Sequence, residues 1–510
     1  MKKLLYITLM GVMLTGFSGC EKLSLDLAPE SSVADGNFWQ NPEQYESFIA
    51  GLHSRLRTYE LNFMVLGELR ADVFGDTPFS GEATQGWERF WFNTINSENP
   101  GISNYAGMYN FINQVNLLIF KTEPAANLTE ANKSYYLGQA YGLRAFSYFH
   151  LLRSWGKAII ITEPSITFDL NNLARAASSE AEVMELIKSD LQKSEQYFGS
   201  NYSFKYSDKA FWSHAATMML KAEVYLWSAR QMAGGTADAT IAKTALTEIQ
   251  TQLPALGLMT SFKDVFTSSS VPASKNNKEV IFVLRNALLE YQMGGGSYAS
   301  TFLPQSNLII NFWDSISAAK ISNAVENYAG GLLRAPVRKS AFWSFRNEDS
   351  RKLVSVKGAY TENAGVFTLA GCYINKFPGV MDAGSRKIAD DHIVYRYADL
   401  LLMLAEAKSL LGENPATEIN LVRQRAYGAN FSEEVWGYPN QAIDSDFNEA
   451  LLRERFLEFL GEGKRWYDLC RFGETYVFKY TTATEDYQLL WPIDKTTLTN
   501  NRLLEQTFGY

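Results

Sequence analysis

The chain of 510 residues contains little cysteine, with only Cys20, Cys372 and Cys470. Small exported folds that depend on disulfides use many closely spaced cysteines, so disulfides are not expected to hold this fold together. Cys470 falls on the apolar side of a predicted helix and is interpreted as a core residue.

Histidine is also scarce, and no catalytic motif is present. The four histidines are far apart and mostly lie in helical patterns: His53, His150, His214 and His392. The sequence contains no H-E-x-x-H, cysteine–histidine metal spacing, G-x-S-x-G or phosphate-binding glycine loop. A glycosidase needs only two carboxylates, and the 55 acidic residues leave that possibility open. The residue patterns therefore indicate no specific catalytic residue, cofactor or metal site.

Positive charge is not in excess, because the sequence has 47 lysines and arginines and 55 acidic residues, which gives a formal net charge of -8. Nucleic acids and anionic lipids bind clustered cations, so neither is expected as a partner. The balance is compatible with a neutral ligand.

Long hydrophobic runs are missing after the N-terminus, where a membrane helix would need about 18 or more apolar residues. At the N-terminus, Lys2 and Lys3 precede an apolar run over residues 4–14, and Ser18 and Gly19 precede Cys20. This pattern is typical of a lipoprotein signal peptide covering residues 1–19, with Cys20 as the lipidated residue. An ordinary secretory signal with a chance cysteine is the alternative.

Helical periodicity dominates the rest of the chain. Helices are predicted at about 41–58, 104–121, 131–155, 179–197, 208–232, 238–253, 392–411, 415–427 and 446–472. An L-x-A-x-x-Y motif at residues 143–148 recurs at 220–225, as suits stacked helix pairs of tetratricopeptide type, although two short matches alone are weak support. Residues 255–390 lack this periodicity and contain one strand-like stretch, Glu279 to Arg285, among glycine-rich loops.

The segment from Glu449 to Gly473 combines an apolar helical side with dense charge. Its apolar side comprises Leu452, Phe456, Phe459, Leu460, Gly463, Trp466, Tyr467 and Cys470. Three pairs of opposite charge are spaced three residues apart, where helical side chains meet: Arg455 with Glu458, Glu462 with Arg465, and Asp468 with Arg471. The segment is therefore expected to pack inward along most of its length.

This segment resembles the C-terminal signature of the SusD/RagB family of outer-membrane nutrient-binding lipoproteins, E-R-x-x-E-x-x-x-E-G-x-R-W-[FY]-D-L. The matching residues are Glu454, Arg455, Glu458, Glu462, Gly463, Arg465, Trp466, Tyr467, Asp468 and Leu469. Other stretches are similar to the family in the same order, notably 109–116, 140–155, 392–407, 419–425 and 490–494. The resemblance covers nearly the whole chain, with a gap at about 255–390.

The resemblance implies a mainly α fold of one unit, residues 20–510. Four tetratricopeptide-like helix pairs would form a scaffold at about 41–253 and 392–473. A loop-rich variable region with short strands, at about 255–390, would join the loop at 75–104 to bind the ligand.

The resemblance also implies a non-catalytic surface lipoprotein. It would bind an oligosaccharide and deliver it to a SusC-like TonB-dependent transporter in the outer membrane, with the helix pairs facing the transporter. The alternatives are a peptide-binding or purely structural transporter subunit, or a surface glycoside hydrolase.

Aromatic and polar residues in the two loop regions are the candidate ligand contacts, because aromatic faces stack on sugar rings and polar groups bind hydroxyls. The candidates are Trp87, Trp91, Asn93, Arg70, Asp72, Tyr291, Tyr298, Trp313 and Trp343. For the tryptophans, burial in the core is the competing interpretation, and for Arg70 and Asp72 it is an ion-pair network.

Overall fold

A computed structural model describes residues 38–101, 105–166, 174–270, 274–317, 319–322 and 326–510. The predicted signal peptide and Cys20 lie outside the described residues. None of the described helices is both long enough and apolar enough to cross a membrane.

Helices make up most of the described chain, and their starts follow the expected capping chemistry. Asn41 and Ser179 each form a capping box, and Asp446 accepts a hydrogen bond from the third residue of its helix. The helices are α1 (Pro42–Arg57), α2 (Glu60–Glu68), α3 (Glu88–Trp91), α4 (Tyr105–Thr122), α5 (Glu130–Trp155), α6 (Glu180–Phe198), α7 (His214–Gln231), α8 (Gly235–Gln252), α9 (Phe262–Ser270), α10 (Ser297–Phe302), α11 (Ser306–Ile309), α12 (Lys339–Ser344), α13 (Arg351–Ser355), α14 (Tyr397–Leu410), α15 (Ala416–Tyr427), α16 (Glu433–Trp436), α17 (Phe447–Phe459), α18 (Arg465–Phe472), α19 (Glu474–Tyr480) and α20 (Lys495–Asn500).

Neighbouring helices pack in pairs, which confirms the predicted helical scaffold. Helix α5 packs against α4 and α6, and α8 packs against α7 and α14. Gly142 lets α5 pack closely against the Trp212 side chain, because a Cβ atom at residue 142 would lie 2.1 Å from the Trp212 indole nitrogen. The small residue at this position is therefore a packing requirement.

Three small antiparallel sheets complete the fold. Their strands are β1 (Val280–Leu284), β2 (Trp313–Asp314), β3 (Val356–Asn363), β4 (Val366–Ile374), β5 (Val380–Asp382), β6 (Ser385–Lys387) and β7 (His392–Arg396). Strand β1 confirms the strand-like stretch, and it pairs with β7. The helix predicted from residue 392 was wrong in its first turn, since α14 begins only at Tyr397.

The predicted C-terminal helix at 446–472 is divided into α17 and α18. Between them, Gly461 and Gly463 adopt φ values of 84° and 75°, which favour glycine. The side chain of Glu68, at the end of α2, accepts hydrogen bonds from the amides of Gly461 (2.6 Å) and Gly463 (2.7 Å). Gly67 allows this contact, because its Cβ would lie 1.8 Å from the Gly463 carbonyl oxygen.

Charged residues of α17 and the following turn are buried in an ion-pair network. Glu458 accepts from Arg396 (2.5 Å), Arg351 (3.1 Å) and Arg425. Glu462 pairs with Arg396 and Lys376, both at 2.8 Å.

The predicted pairs within the segment form only in part. Asp468 and Arg471 pair at 2.9 Å, as predicted. Arg455 instead binds Asp399 (2.8 Å) and Asp468 (2.9 Å), because the break in the helix turns α18 back toward α17. Local helical spacing thus identified charged residues whose partners are mostly distant in sequence.

Burial and neighbouring charges shift the pKa of Glu458 in opposite directions. Burial alone would raise its pKa, but Arg425, Arg396 and Arg351 together hold the pKa well below its ordinary value of 4.5. The ionised carboxylate therefore stabilises the folded state at neutral pH. That contribution is complete above the unfolded-state pKa and is lost as the pH falls through the lower folded-state pKa.

Replacing Glu458 with Gln should lower the free energy of unfolding by about 3–5 kcal/mol near pH 7, because buried arginines lose their shared anion. The difference from wild type should shrink as the pH falls to about 3, because the Glu458 carboxyl of the unfolded chain is then protonated while that of the folded chain stays ionised. Chemical denaturation at both pH values measures this. The exposed residue Glu434 provides a matched Glu→Gln control, and equal effects of the two substitutions would contradict the prediction.

Candidate ligand-binding site

The β3–β4 hairpin extends from the core into solvent. Residues 356–359 are buried, whereas 361–363 and 366–368 are exposed. Ala364 and Gly365 form the two-residue turn with φ values of 52° and 82°, the conformation of a tight hairpin turn that follows strand twist. The exposed half of the hairpin is thus regular structure rather than loose loop.

Three aromatic residues share one face of this sheet, and we call Trp313, Tyr360 and Phe367 the aromatic platform. Trp313 on β2 pairs directly with Tyr360 on β3, and Phe367 lies across from Glu362, two residues further on. The rings of Trp313 and Phe367 meet edge to face, with centroids 5.3 Å apart. Phe367 is 50% exposed, so the platform presents aromatic surface to solvent.

Buried contacts fix the base of the hairpin. Lys357 is buried and pairs with Asp314 (3.2 Å) and with Glu326. Ser315 and Gly358 exchange two hydrogen bonds of 3.1 and 3.0 Å, which tie the end of β2 to β3. The platform is therefore positioned by paired strands and a buried ion pair.

The loop at 75–101 lies against the sheet that carries the platform. The Phe79 ring occupies the space above Gly371 of β4, where a Cβ atom would lie 2.0 Å from the ring. Asp76 accepts a hydrogen bond from the Lys339 amide (2.8 Å), and Glu82 accepts one from the Gln305 amide (3.0 Å). The two regions predicted to contact the ligand are thus adjacent.

Trp343 is a further exposed aromatic residue near this sheet. It lies on α12, is 56% exposed and packs edge to face on Phe342 at 5.0 Å. Phe342 reaches Gly358 of β3, and the Lys352 ammonium lies 4.9 Å from the Trp343 ring. The indole is available to solvent in the described structure.

The loop tryptophans differ in exposure. Trp87 is half-buried beside Phe90, whereas Trp91 is 2% exposed and its carbonyl accepts from Thr482 (2.7 Å). Asn93 is also buried and bonds to Arg70 and Thr482. Trp91 and Asn93 therefore have little surface for a ligand.

Arg70 and Asp72 serve the packing of the C-terminal part of the chain. The Arg70 guanidinium is fully buried between the rings of Trp466 and Trp491, at 4.3 and 5.0 Å, and donates to the Leu490 carbonyl at 2.8 Å. Asp72 binds Arg465 through two hydrogen bonds of 2.8 and 2.9 Å. Asp72 thus forms an ion pair, whereas Arg70 is held by carbonyl oxygens and aromatic rings.

The two tyrosine candidates, Tyr291 and Tyr298, also differ in exposure. Tyr298 is 1% exposed and packs on Phe302 and Phe377, because the three preceding glycines turn the chain inward. Tyr291 is half-buried, with the Arg57 guanidinium 4.8 Å from its ring. Of the nine predicted contacts, the four that keep exposed or half-exposed aromatic surface are Trp87, Tyr291, Trp313 and Trp343.

Tyr360 and Phe367 were missed by sequence reasoning. The signal was present in residues 356–374, where two extended stretches flank Ala364-Gly365, but the region was assigned to loops because its apolar residues are isolated.

Two histidines and two carboxyl groups outside the platform have shifted pKa values. Burial lowers the pKa of His53 and His392 to about 4, so both are neutral, and the described part of the chain contains no cluster of metal-binding side chains. Burial raises the pKa of Glu60 to about 8 and of Asp390 to about 7, yet both carboxyls lie in the core, where backbone amides donate to them.

The protein is a mainly helical protein with packed helix pairs and a small sheet that carries the aromatic platform. Comparisons with known proteins identify its family. A model described as the SusD family matches residues 323–487, and one described as "Starch-binding associating with outer membrane" matches residues 25–226. B. fragilis NanU has 46% sequence identity and a TM-score of 0.87, over 94% of this chain and 99% of that chain. The chain belongs to the SusD family.

Two further comparisons agree with membership of the SusD family. A SusD superfamily protein from Bacteroides vulgatus has 46% identity and a TM-score of 0.85, over 92% of this chain and all of that chain. SusD-like protein P38 from Formosa agariphila is 26% identical, over 97% of this chain and 96% of its own length.

Replacing Gly371 with Ala should displace Phe79 and loosen the loop from the sheet, because the added methyl group occupies the position of the ring. We expect a loss of about 1–3 kcal/mol in unfolding free energy and faster hydrogen exchange in residues 75–83. Gly51→Ala on α1, where a Cβ atom meets nothing within 4 Å, is the control. Unchanged exchange in the Gly371 variant would refute the packing role.

Proposed function

We propose that this protein is a non-catalytic binding protein for oligosaccharides and that the aromatic platform is its contact surface. The observation that carries the proposal is the set of three rings on one face of the β2–β3–β4 sheet, whose hairpin extends into solvent. Sugar rings present apolar C–H faces to such surfaces, while their hydroxyls need nearby polar groups. Glu362, which is exposed on the same face as the platform, would supply such a group.

Relatives support glycan as the ligand class. One family model that matches this chain carries a description of starch binding. A laminarin binding SusD-like protein has the same fold, with 19% identity and a TM-score of 0.71 over 92% of this chain and all of that chain. At this identity the comparison shows a shared fold.

The exposed aromatic residues divide the proposed site into two parts. Trp313, together with Tyr360 and Phe367, forms the stacking surface, and Trp343 extends it on α12. Trp87 and Tyr291 are assigned as outer contacts on the strength of their remaining exposed surface. The buried residues Trp91, Asn93, Arg70 and Tyr298, with the ion-paired Asp72, have structural roles in this proposal.

Delivery to a SusC-like TonB-dependent transporter is the second part of the proposal. Family membership and the outer-membrane description of one family model support it. Lipidation of Cys20 would attach the mature chain to the outer membrane, exposed at the cell surface, since two or more acyl chains suffice for stable anchoring. The helix pairs would then face the transporter, and the platform would lie on the variable region that receives the glycan.

The double substitution Trp313→Ala and Phe367→Ala should weaken oligosaccharide binding at least about tenfold, or about 1.4 kcal/mol, because both stacking faces are lost. A glycan array on residues 21–510 selects the ligand, and titration calorimetry compares the variants.

Phe120→Ala on α4 is the control, because Phe120 is a similarly exposed ring on the scaffold, 42% exposed. A wild-type protein that binds peptides but no glycan would refute the proposed ligand class. Full affinity in the double variant would refute the proposed site.

Cys20→Ala should abolish incorporation of labelled palmitate and move the protein out of the membrane fraction, because the acceptor thiol is removed. Cys372→Ala, a substitution of a buried thiol, should leave labelling unchanged. Labelling that persists in the Cys20 variant would exclude this residue as the lipid anchor.

A further inference from the structure

A second concave surface lies on the scaffold, between α1, α5 and the segment around Tyr206. It encloses about 340 Å³ and is lined in part by Glu43, Glu46, Gln139, Tyr206 and Phe211. An adjoining recess of about 180 Å³ continues along α1 and shares Ala50 and Phe211 with it. None of these residues belongs to the aromatic platform.

At the edge of the groove, the Lys205 ammonium group lies between aromatic rings and a carboxylate. The Lys205 nitrogen lies 4.9 Å from the Tyr135 ring and 5.2 Å from the Tyr206 ring, and it pairs with Glu46. The Tyr206 hydroxyl also donates to Glu46, at 2.7 Å. Tyr206 is therefore fixed at the rim although it is 69% exposed, and the charge of Lys205 is already neutralised.

Two polar groups that line the groove lack partners. Gln139 is completely buried; one end of its side-chain amide lies 3.1 Å from His53, and the other end has no hydrogen-bond partner. The Tyr135 hydroxyl is also buried without a partner. A buried polar group without a hydrogen-bond partner is destabilising, so a ligand that bonds to these two groups would gain affinity.

The groove therefore combines ring surface with unused hydrogen-bonding groups. Tyr206 and Phe211 provide the rings, which lie 6.0 Å apart at 70° to each other. The formal charges of Glu43, Glu46 and Lys205 leave one net negative charge, which disfavours an anionic ligand.

We propose that this groove is a second binding site, which takes one uncharged sugar ring. The ring would stack on Tyr206 and accept or donate hydrogen bonds with Gln139, Tyr135 and Glu43. This site is independent of the platform, because the two surfaces share no residue.

Saturation-transfer NMR on the Trp313→Ala/Phe367→Ala variant tests the groove without the platform. The probes are the methyl pyranosides of glucose, galactose, mannose and N-acetylglucosamine, with methyl glucuronide as an anionic comparison. At least one neutral probe should receive saturation, and adding Tyr206→Ala should weaken its affinity at least about fivefold. Tyr206→Phe should retain binding because the ring remains.

Three results would overturn the inference: no saturation of any neutral probe, unchanged binding in the Tyr206→Ala variant, or binding of the glucuronide equal to that of the neutral sugars. A matched Phe120→Ala substitution and the melting temperatures of all variants separate loss of binding from loss of folding. Loss of glycan binding at the platform alone would leave these outcomes unaffected.

Discussion

The pairing of Glu458 and Glu462 with arginine and lysine side chains inside the core is the constraint on which the arrangement of the molecule depends. Arg396 contacts both carboxylates and also Glu279, at 2.8 Å, so one guanidinium joins β7, the residue before β1, and the C-terminal part of α17 with the turn after it. Buried charges are costly unless fully paired, and each group in the network therefore requires the others in place. The network fixes the helical scaffold and the variable region relative to one another.

The same network sets the position of the aromatic platform. Arg351 contacts Glu458 from α13, which runs directly into β3, and Lys376 contacts Glu462 two residues after β4 ends. Both strands of the exposed hairpin thus begin or end beside the buried carboxylates. A stacking surface gains affinity when it is preorganised, because fewer side chains lose freedom on binding.

Much of the fold was predictable because helices of this length have a clear periodicity, as in α5 and α6. Strand β7 was not predictable. Both faces of β7 are buried, so it lacks the alternating pattern of a half-exposed strand, and its sequence continues into α14 without a break. The candidate site was predicted by region only. Arg70 precedes a loop rich in aromatics, a pattern that fits ligand contact as well as it fits its actual place between Trp466 and Trp491.

The contact between Glu68 and the turn at Gly461 and Gly463 has a consequence for the order of folding. The bonded groups are separated by 393 and 395 positions, so α2 gains its backbone partner only when nearly the whole described chain is available. Contacts of such separation slow folding and leave early intermediates without their final packing. Chains cut short before residue 461 are therefore expected to remain incompletely folded and open to proteolysis.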